Sequence, residues 1–336
     1  MTQRIRYVRS CSPRLAVEAL ESRDCPACTV FQAGGTVYVL GDGTANMVII
    51  DELPPSPFPP HLPGSLRINA DGVVTEFPTS TVKHLDVQTR GGDDVVLYKS
   101  VIAPGADGVS SLSINLGAGN DVADVTAMRR TAAPPNYSGS WSLTVDASAG
   151  DDAVVTRFGR VDFQSVRVQA NLGAGNDSFA AQFDGPIAAA NGKPTLIRLN
   201  VLGGVGDDSM NLAAVAEVEM TDLSAVFQGG DGNDHITMTA AFSGTTPSRA
   251  RLQALAGAGN DIVSVTMAST SPHGAYSDSV VIRGGSGNDD LSFDGLRSPA
   301  CNAVIDGGAD FDIGTIAGLS SRFRNCETMT TRSVPR

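Results

Sequence analysis

The sequence predicts an all-β fold, a right-handed parallel β-solenoid (β-helix) of about nine to ten coils. The first observation is a glycine-rich corner that recurs nine times, each copy ending in an aspartate. The second is the step of 23 to 31 residues between successive aspartates, which lies in the range of solenoid and propeller repeats. The third is an alternation of apolar and polar residues on both sides of each corner, which predicts strands buried on one face.

The nine corners share residues that tolerate left-handed backbone. With the aspartate as position 0, position −2 is glycine in eight copies, position −4 is glycine in seven, and position −1 is Asn or Asp in eight. Glycine adopts positive φ without steric cost, and Asn and Asp are the next most tolerant residues. Each copy is therefore predicted to be a tight corner. The nine aspartates are Asp94, Asp121, Asp152, Asp177, Asp208, Asp234, Asp261, Asp289 and Asp312.

The flanking residues predict how the corners are joined. Positions −9 and −7 are apolar in all nine copies, as in Leu85 and Val87 before the first corner. A strand pair of this kind is not stable alone, so equivalent strands must stack from one repeat to the next around one continuous core. Trp141 shares the inward phase of its strand and is expected in the core, whereas His235 is expected on the surface.

The chain divides into four predicted regions. Residues 1–28 form a basic N-terminal tail or short helix, and residues 29–84 a first degenerate coil with Asn46 in place of the aspartate, a Pro-rich loop and a hairpin turning at Asp71 and Gly72. Residues 85–316 are the repeat solenoid. Residues 317–336 form a C-terminal cap and tail, because an uncapped sheet edge invites aggregation.

Composition limits the partners. A net charge of −12 argues against a nucleic-acid partner, since phosphate binding requires clustered Lys and Arg, and makes cations the natural partners. No apolar run is long enough for a transmembrane segment, and an ordinary secretory signal is missing.

The chain has five cysteines. Cys25 and Cys28 form a C-x-x-C motif that is either a redox or half-zinc site, or a local disulfide or two spectator thiols. Cys301 and Cys326, 25 residues apart, are predicted to form a disulfide between coils.

The stacked corners create an electrostatic problem. Carboxylates in register lie about 4.8 Å apart, and each adjacent pair then repels by roughly 3.5 kcal/mol at an effective dielectric of 20. Bound cations, raised pKa values or backbone amide hydrogen bonds to the carboxylates could relieve the column. Oxygen ligands without His or Cys favour Ca²⁺ over transition metals. The alternative is that Asp and Asn only cap the glycine turns.

Three corners resemble the hemolysin-type calcium-binding repeat of bacterial RTX proteins, G-G-x-G-x-D-x-U-x. They are Gly203–Met210, Gly229–Ile236 and Gly284–Leu291. The resemblance implies calcium ions held between stacked turns by the carboxylates of the nine aspartates and by turn carbonyls, with the strongest support at Asp208, Asp234, Asp261 and Asp289. Asp231, within its turn, is a further candidate ligand or else a plain exposed turn residue. The chain departs from the family because the motif occurs once per coil of about 27 residues instead of in tandem. The glycine at position −5 is also replaced in five copies, by Thr89, Leu116, Ala147, Leu172 and Ala256.

These observations predict a non-enzymatic, exported calcium-binding protein with a structural, surface or adhesion role, located extracellularly or on the cell surface. Leu15–Arg23 also resembles the N-termini of some bacterial exported repeat proteins. Extracellular polysaccharide and surface proteins are the expected partners besides calcium ions. The alternative is a carbohydrate-active β-helix, either a polysaccharide lyase or glycosidase or a carbohydrate-binding module, whose site would lie among the variable return loops. The paired acidic residues do not favour the enzyme, because every pair falls on the repeated corner.

Overall fold

The computed structural model describes residues 28–55, 63–101, 108–128, 139–161, 164–189, 193–218, 220–243, 248–269, 278–297, 301–317 and 321–332. The predicted N-terminal tail or helix up to residue 27, which includes Cys25, lies outside the described residues, as do residues 56–62 of the Pro-rich loop. Parts of the variable return loops and residues 333–336 of the predicted C-terminal tail also lie outside them.

The described chain is almost entirely β-structure, with one 3₁₀ turn at Thr79–Thr81. The strands are β1 (Thr29–Ala33), β2 (Thr36–Leu40), β3 (Met47–Leu53), β4 (Ser65–Ala70), β5 (Val73–Pro78), β6 (His84–Gln88), β7 (Val95–Ser100), β8 (Ser111–Asn115), β9 (Val122–Ala127), β10 (Ser140–Asp146), β11 (Ala153–Phe158), β12 (Ser165–Ala174), β13 (Ser178–Phe183), β14 (Thr195–Val205), β15 (Ser209–Glu217), β16 (Thr221–Asp231), β17 (His235–Ser243), β18 (Arg249–Ala258), β19 (Ile262–Ser269), β20 (Asp278–Ser286), β21 (Asp290–Arg297), β22 (Cys301–Ala309), β23 (Ile313–Ala317), β24 (Ser321–Arg324) and β25 (Thr328–Arg332).

The strands form two long sheets. Sheet 1 has the order β1-β2-β6-β8-β10-β12-β14-β16-β18-β20-β22-β24, and sheet 2 the order β25-β23-β21-β19-β17-β15-β13-β11-β9-β7-β3-β4-β5. From β6 onward each coil contributes one strand to each sheet, and neighbouring coils pair in parallel, as Val168 with Leu199 and Phe179 with Met210. The predicted parallel β-solenoid is therefore confirmed.

The predicted corners connect the two sheets. All nine lie between a strand of sheet 1 and the next strand of sheet 2, from Asp94 between β6 and β7 to Asp312 between β22 and β23. Asn46 takes the same position between β2 and β3, so the degenerate corner also belongs to the stack. The inward side chains fill the space between the sheets, where Trp141 is buried and meets the ring of Phe158 edge-on at 5.5 Å. His235 is exposed, as expected.

Antiparallel strands lie at the N-terminal end of both sheets. The predicted hairpin is β4 and β5, joined through Asp71 and Gly72, which have positive φ of 48° and 85°. A second hairpin, which was not predicted from the sequence, joins β1 to β2 at the edge of sheet 1. Across the described residues, no helix has the length and apolar character needed to cross a membrane.

At the C-terminal end, the segment predicted as a cap adds one further parallel strand to each sheet, β24 and β25. The predicted disulfide between Cys301 and Cys326 is wrong, because both are free thiols. The reason is the length of the last coil: Ala303 pairs with Ser321, a step of 18 residues instead of 25. Cys301 consequently begins its strand, whereas Cys326 follows β24 at the opposite, corner end.

Candidate cation site at the aspartate column

The corners have the left-handed backbone that their sequence predicts. Positions −4 and −2 both have positive φ, as in Gly230 at 124° and Gly232 at 140°. Three other residues replace glycine at these positions and keep positive φ, namely Arg90, Ser148 and Asp310. The glycines also allow close stacking, because a Cβ atom built on Gly232 would overlap the carbonyl oxygen of Gly206 in the preceding coil.

The nine predicted aspartates form one continuous column, which we call the inner ladder. In each step the backbone N–H of one aspartate donates to Oδ1 of the aspartate in the next coil. The Asp94 to Asp121 distance is 2.7 Å and the Asp208 to Asp234 distance is 2.9 Å. Asn46 enters the ladder by donating its N–H to Asp94 at 2.6 Å, and Glu327 ends it by accepting from the N–H of Asp312 at 2.7 Å.

A second, exposed column runs beside the first, and we call it the outer ladder. It consists of the residues at position −1, which are Asp93, Asn120, Asp151, Asn176, Asp207, Asn233, Asn260 and Asn288. Here the hydrogen bonds have the opposite direction: the N–H of Asn120 donates backward to Oδ1 of Asp93 at 2.9 Å, and the N–H of Asn233 to Oδ1 of Asp207 at 2.7 Å. Two columns of side chains therefore connect neighbouring coils: the backbone N–H donates to the next coil in the inner ladder and to the preceding coil in the outer ladder.

The outer ladder was not predicted from the sequence. Asn and Asp at position −1 indicate tolerance of the turn conformation, and their recurrence in eight copies is the signal that also marks a second column. The adjacent acidic pairs also divide between the two columns. Asp152 lies in the inner ladder and accepts from Asp121, whereas Asp151 lies in the outer ladder and accepts from Asn176.

The inner ladder satisfies only one oxygen of each carboxylate. Oδ2 is buried and has no hydrogen-bond partner in all nine aspartates. A buried acceptor without a partner is costly, and more so when it carries charge. Nine equivalent unpartnered oxygens in one column therefore call for a positive charge or a proton beside them.

The environment of Oδ2 divides the corners into two groups. At Asp208, Asp234, Asp289 and Asp312, position −5 is glycine, and a Cβ atom built there would overlap Oδ2 and a backbone carbonyl oxygen of the next coil. In these four corners Oδ2 therefore faces the backbone of a glycine and lies close to a backbone carbonyl oxygen. For Asp234 that oxygen belongs to Ala256. In the other five corners a buried side chain occupies position −5, at Thr89, Leu116, Ala147, Leu172 and Ala256.

Burial shifts the titration of the inner ladder toward neutral pH. It raises the pKa of Asp152 and Asp208 to about 7 and the pKa of Asp121, Asp234 and Asp289 to about 6. The pKa values of Asp94, Asp177, Asp261 and Asp312 are also raised, with burial as the largest cause. The hydrogen bond from the preceding amide opposes the shift in each case, and neighbouring carboxylates add to it.

The structure does not bring Asp231 into the column. Its side chain is exposed, and its strand position pairs with Val205 and Ala258. No three His, Cys, Asp or Glu side chains converge on one point in the described part of the chain. The oxygen donors available to a cation are therefore one carboxylate oxygen per coil and nearby carbonyls, a hard donor set that suits Ca²⁺ and is most open at the four corners with glycine at position −5.

Comparison with known proteins gave no matching family model, no similar curated protein and no similar solved structure.

Proposed function

We propose that this chain is an exported, calcium-binding β-solenoid that serves as a structural element of a cell surface, extracellular matrix or adhesion assembly. The observation that carries the proposal is the column of nine buried Oδ2 atoms without partners. Bound calcium would supply the positive charge that this column lacks, and the excess of acidic residues in the chain favours a cation over an anion as its ligand. An extracellular location suits weak oxygen-ligand sites, which fill at millimolar calcium.

The four corners with glycine at position −5 are the proposed calcium-binding corners. There Asp208, Asp234, Asp289 and Asp312 present Oδ2 next to a backbone carbonyl oxygen, without an intervening side chain. At the remaining corners the buried side chain at position −5 takes up that space, so calcium binding there is expected to be weaker or absent. Asp231 lies three residues before Asp234, on the surface, where it would add to the local negative potential without entering the column.

The competing ligand is a proton. A protonated Oδ2 would donate a hydrogen bond to a nearby carbonyl and neutralise the carboxylate without a metal, and the raised pKa values of Asp208 and Asp234 make this feasible near neutral pH. Calcium must then displace that proton in order to bind. The proposal therefore predicts calcium binding that releases protons and strengthens as the pH rises.

Isothermal titration calorimetry on chelator-treated protein at pH 8 tests the proposal. Titration with millimolar CaCl₂ should give saturable binding, and the same calcium concentration should raise the melting temperature followed by far-ultraviolet circular dichroism. Repeating the titration at about pH 6.5, where Asp208 and Asp234 are partly protonated, in two buffers of different ionisation enthalpy should reveal proton release. Absence of calorimetric binding, together with a melting temperature unaffected by either calcium or EDTA, would mean that the aspartates only cap the turns.

A further inference from the structure

Seven of the 24 Lys and Arg residues of the chain lie together on one part of sheet 1. The seven C-terminal strands of sheet 1 (β12, β14, β16, β18, β20, β22 and β24) contain seven arginines and four aspartates. The first five strands of the same sheet contain neither Lys nor Arg, but do contain Asp86 and Asp146. The net charge of the whole chain is −12, whereas these seven strands carry more positive than negative side chains. We call the outward side of these strands the arginine face.

The parallel register arranges these arginines in rows. Arg167 pairs with Arg198, Arg198 with Ser224, and Ser224 with Arg251, so three arginines share position −10 within four successive strands. With strands about 4.8 Å apart, the row from Arg167 to Arg251 is about 14 Å long.

A second row continues the face toward the C-terminal end. It lies at position −6 of β20 and β22 and at the paired position of β24. It has Arg283 and Arg324 on either side of Asp306, on three successive strands. Strand alternation turns both rows outward, because the residues before and after each arginine in β12 and β20 are buried or less exposed.

Two of the arginines are already paired, and the others are not. The carboxylate of Asp222 accepts from both Arg198 and Arg249 and thereby holds these two side chains on the sheet. The guanidinium groups of Arg167, Arg251, Arg283, Arg322 and Arg324 make no ion pair or hydrogen bond with another described residue. They remain available to an external anion.

The surroundings of the rows indicate the kind of anion. Polar side chains that can hydrogen-bond to hydroxyl groups lie outward between the rows, including Gln169, Asn200 and Gln253. The corner edge beside this sheet surface exposes the acidic Asp207 and Asp231. Duplex DNA, with one charge per about 1.7 Å, would be repelled by that edge, whereas a linear polymer with one carboxylate per sugar has a lower charge density.

We propose that the arginine face binds a linear, carboxylate-bearing polysaccharide that lies along the stacking axis. Guanidinium groups bind carboxylates through two parallel N–H···O bonds, and the amide side chains between them suit the sugar hydroxyls. The inference deepens the proposed surface or matrix role and rests on it. It does not depend on calcium in the corners, because the arginine rows lie on the outward side of sheet 1 and the aspartate column lies inside the turns.

The test measures binding of polygalacturonate to the full chain by biolayer interferometry, with fully methyl-esterified polygalacturonate as the uncharged form of the same polymer. The triple variant Arg167→Gln, Arg251→Gln, Arg283→Gln is compared with the control triple Arg90→Gln, Lys99→Gln, Lys193→Gln, which removes equal charge away from the face. We expect the face variant to weaken binding by at least about tenfold and the control by less than about twofold, with little binding of the esterified polymer. Circular dichroism verifies that each variant is folded.

Three results would overturn the proposal: equal loss in both triple variants, equal binding of the esterified polymer, or displacement of polygalacturonate by duplex DNA at equal charge concentration. The proposed calcium function is judged by separate calorimetry on the same protein. Calcium binding without polygalacturonate binding would leave the calcium-stabilised solenoid standing and refute only the arginine face.

Discussion

The backbone N–H of Asp234 donates a 2.7 Å hydrogen bond to Oδ1 of Asp261 in the next coil, while Oδ2 of the same Asp261 carboxylate is buried without a partner. Each inner-ladder aspartate therefore both connects two coils and holds an unsatisfied oxygen inside the turn. The stability of the stack must then depend on what neutralises that oxygen.

Replacing the carboxylate by an amide should separate calcium binding from coil connection. Asp234→Asn keeps an oxygen that can accept from the N–H of Asp208 and places an amide nitrogen near the carbonyl of Ala256. We expect this variant to lose at least about half of the calcium-induced rise in melting temperature, with its calcium-free melting temperature within about 3 °C of the parent. Asp94→Asn, at a corner where Thr89 fills position −5, is the matched control and should keep most of the calcium response. Equal calcium responses in the two variants would contradict the assignment of the four glycine-bearing corners.

The calcium-free protein should become less stable as the pH rises. An aspartate has a pKa near 3.9 when unfolded, whereas the folded pKa values are about 6 for Asp234 and about 7 for Asp208, so the folded state binds more protons between these values. This contribution to stability is complete below about pH 4 and is lost as the pH rises through 6 to 7. We expect the melting temperature in EDTA to fall by at least about 5 °C from pH 5 to pH 8, and saturating calcium to reduce that fall. The double variant Asp208→Asn, Asp234→Asn should show a shallower dependence, and an unchanged slope would argue against titration of the inner ladder.

Close stacking at position −2 should make its glycine essential. Gly232→Ala places a Cβ at φ 140° and against the carbonyl oxygen of Gly206, and we expect it to lower the free energy of unfolding by more than about 3 kcal/mol. Gly43→Ala is the control, because a Cβ there would meet no atom within 4 Å, and it should change the free energy by less than about 1 kcal/mol. Urea unfolding followed by circular dichroism measures both values. A mild Gly232→Ala variant would mean that the coils can separate locally at little cost.

The outer ladder should tolerate isolated charges but not adjacent ones. Its three aspartates, Asp93, Asp151 and Asp207, are each separated by an asparagine, and Asn233 donates its side-chain amide to Asp207 at 3.2 Å. Asn233→Asp would remove that donor and place two exposed carboxylates on neighbouring coils, which should destabilise the fold by about 0.5–1 kcal/mol at low salt. The loss should shrink in 0.5 M NaCl, whereas the reverse change Asp207→Asn should be nearly neutral at both salt concentrations. A salt-independent loss for Asn233→Asp would point to the lost hydrogen bond alone.

Features that recur in every coil and depend only on neighbouring residues could be predicted from the sequence. Alternation around each corner identified the strands, glycine at positions −4 and −2 identified the left-handed backbone, and the recurring aspartate identified the inner ladder. The Asp71-Gly72 hairpin was predicted for the same reason, because its conformation depends on adjacent residues. The β1–β2 hairpin has a comparable local signal, Gly34-Gly35, between its two strands.

Features that depend on register between coils could not be predicted in the same way. The return segments vary in length, so the residue opposite Cys301 could not be obtained by counting 25 residues forward, and the predicted disulfide failed for that reason. The arginine rows also depend on register: Arg167 and Arg251 are 84 residues apart in sequence, and only the stacking of four strands places them in one row. The opposite directions of the two ladders depend on side-chain rotamers, which the residue pattern does not specify.

Those opposite directions make the two edges of each coil different for a chain that folds from its N-terminus. A newly arriving coil finds the outer-ladder acceptor of its predecessor already in place, as Asn233 finds Asp207, so the folded part acts as a template for the next coil. The new coil's own aspartate then closes the inner ladder backward, as Asp234 does onto the N–H of Asp208. The inner-ladder hydrogen bond of a coil is thus completed only by its successor, and the corner at a growing end holds an aspartate N–H without its ladder acceptor. Glu327, whose longer side chain reaches the N–H of Asp312 after a shortened coil, supplies the acceptor for the last aspartate of the inner ladder.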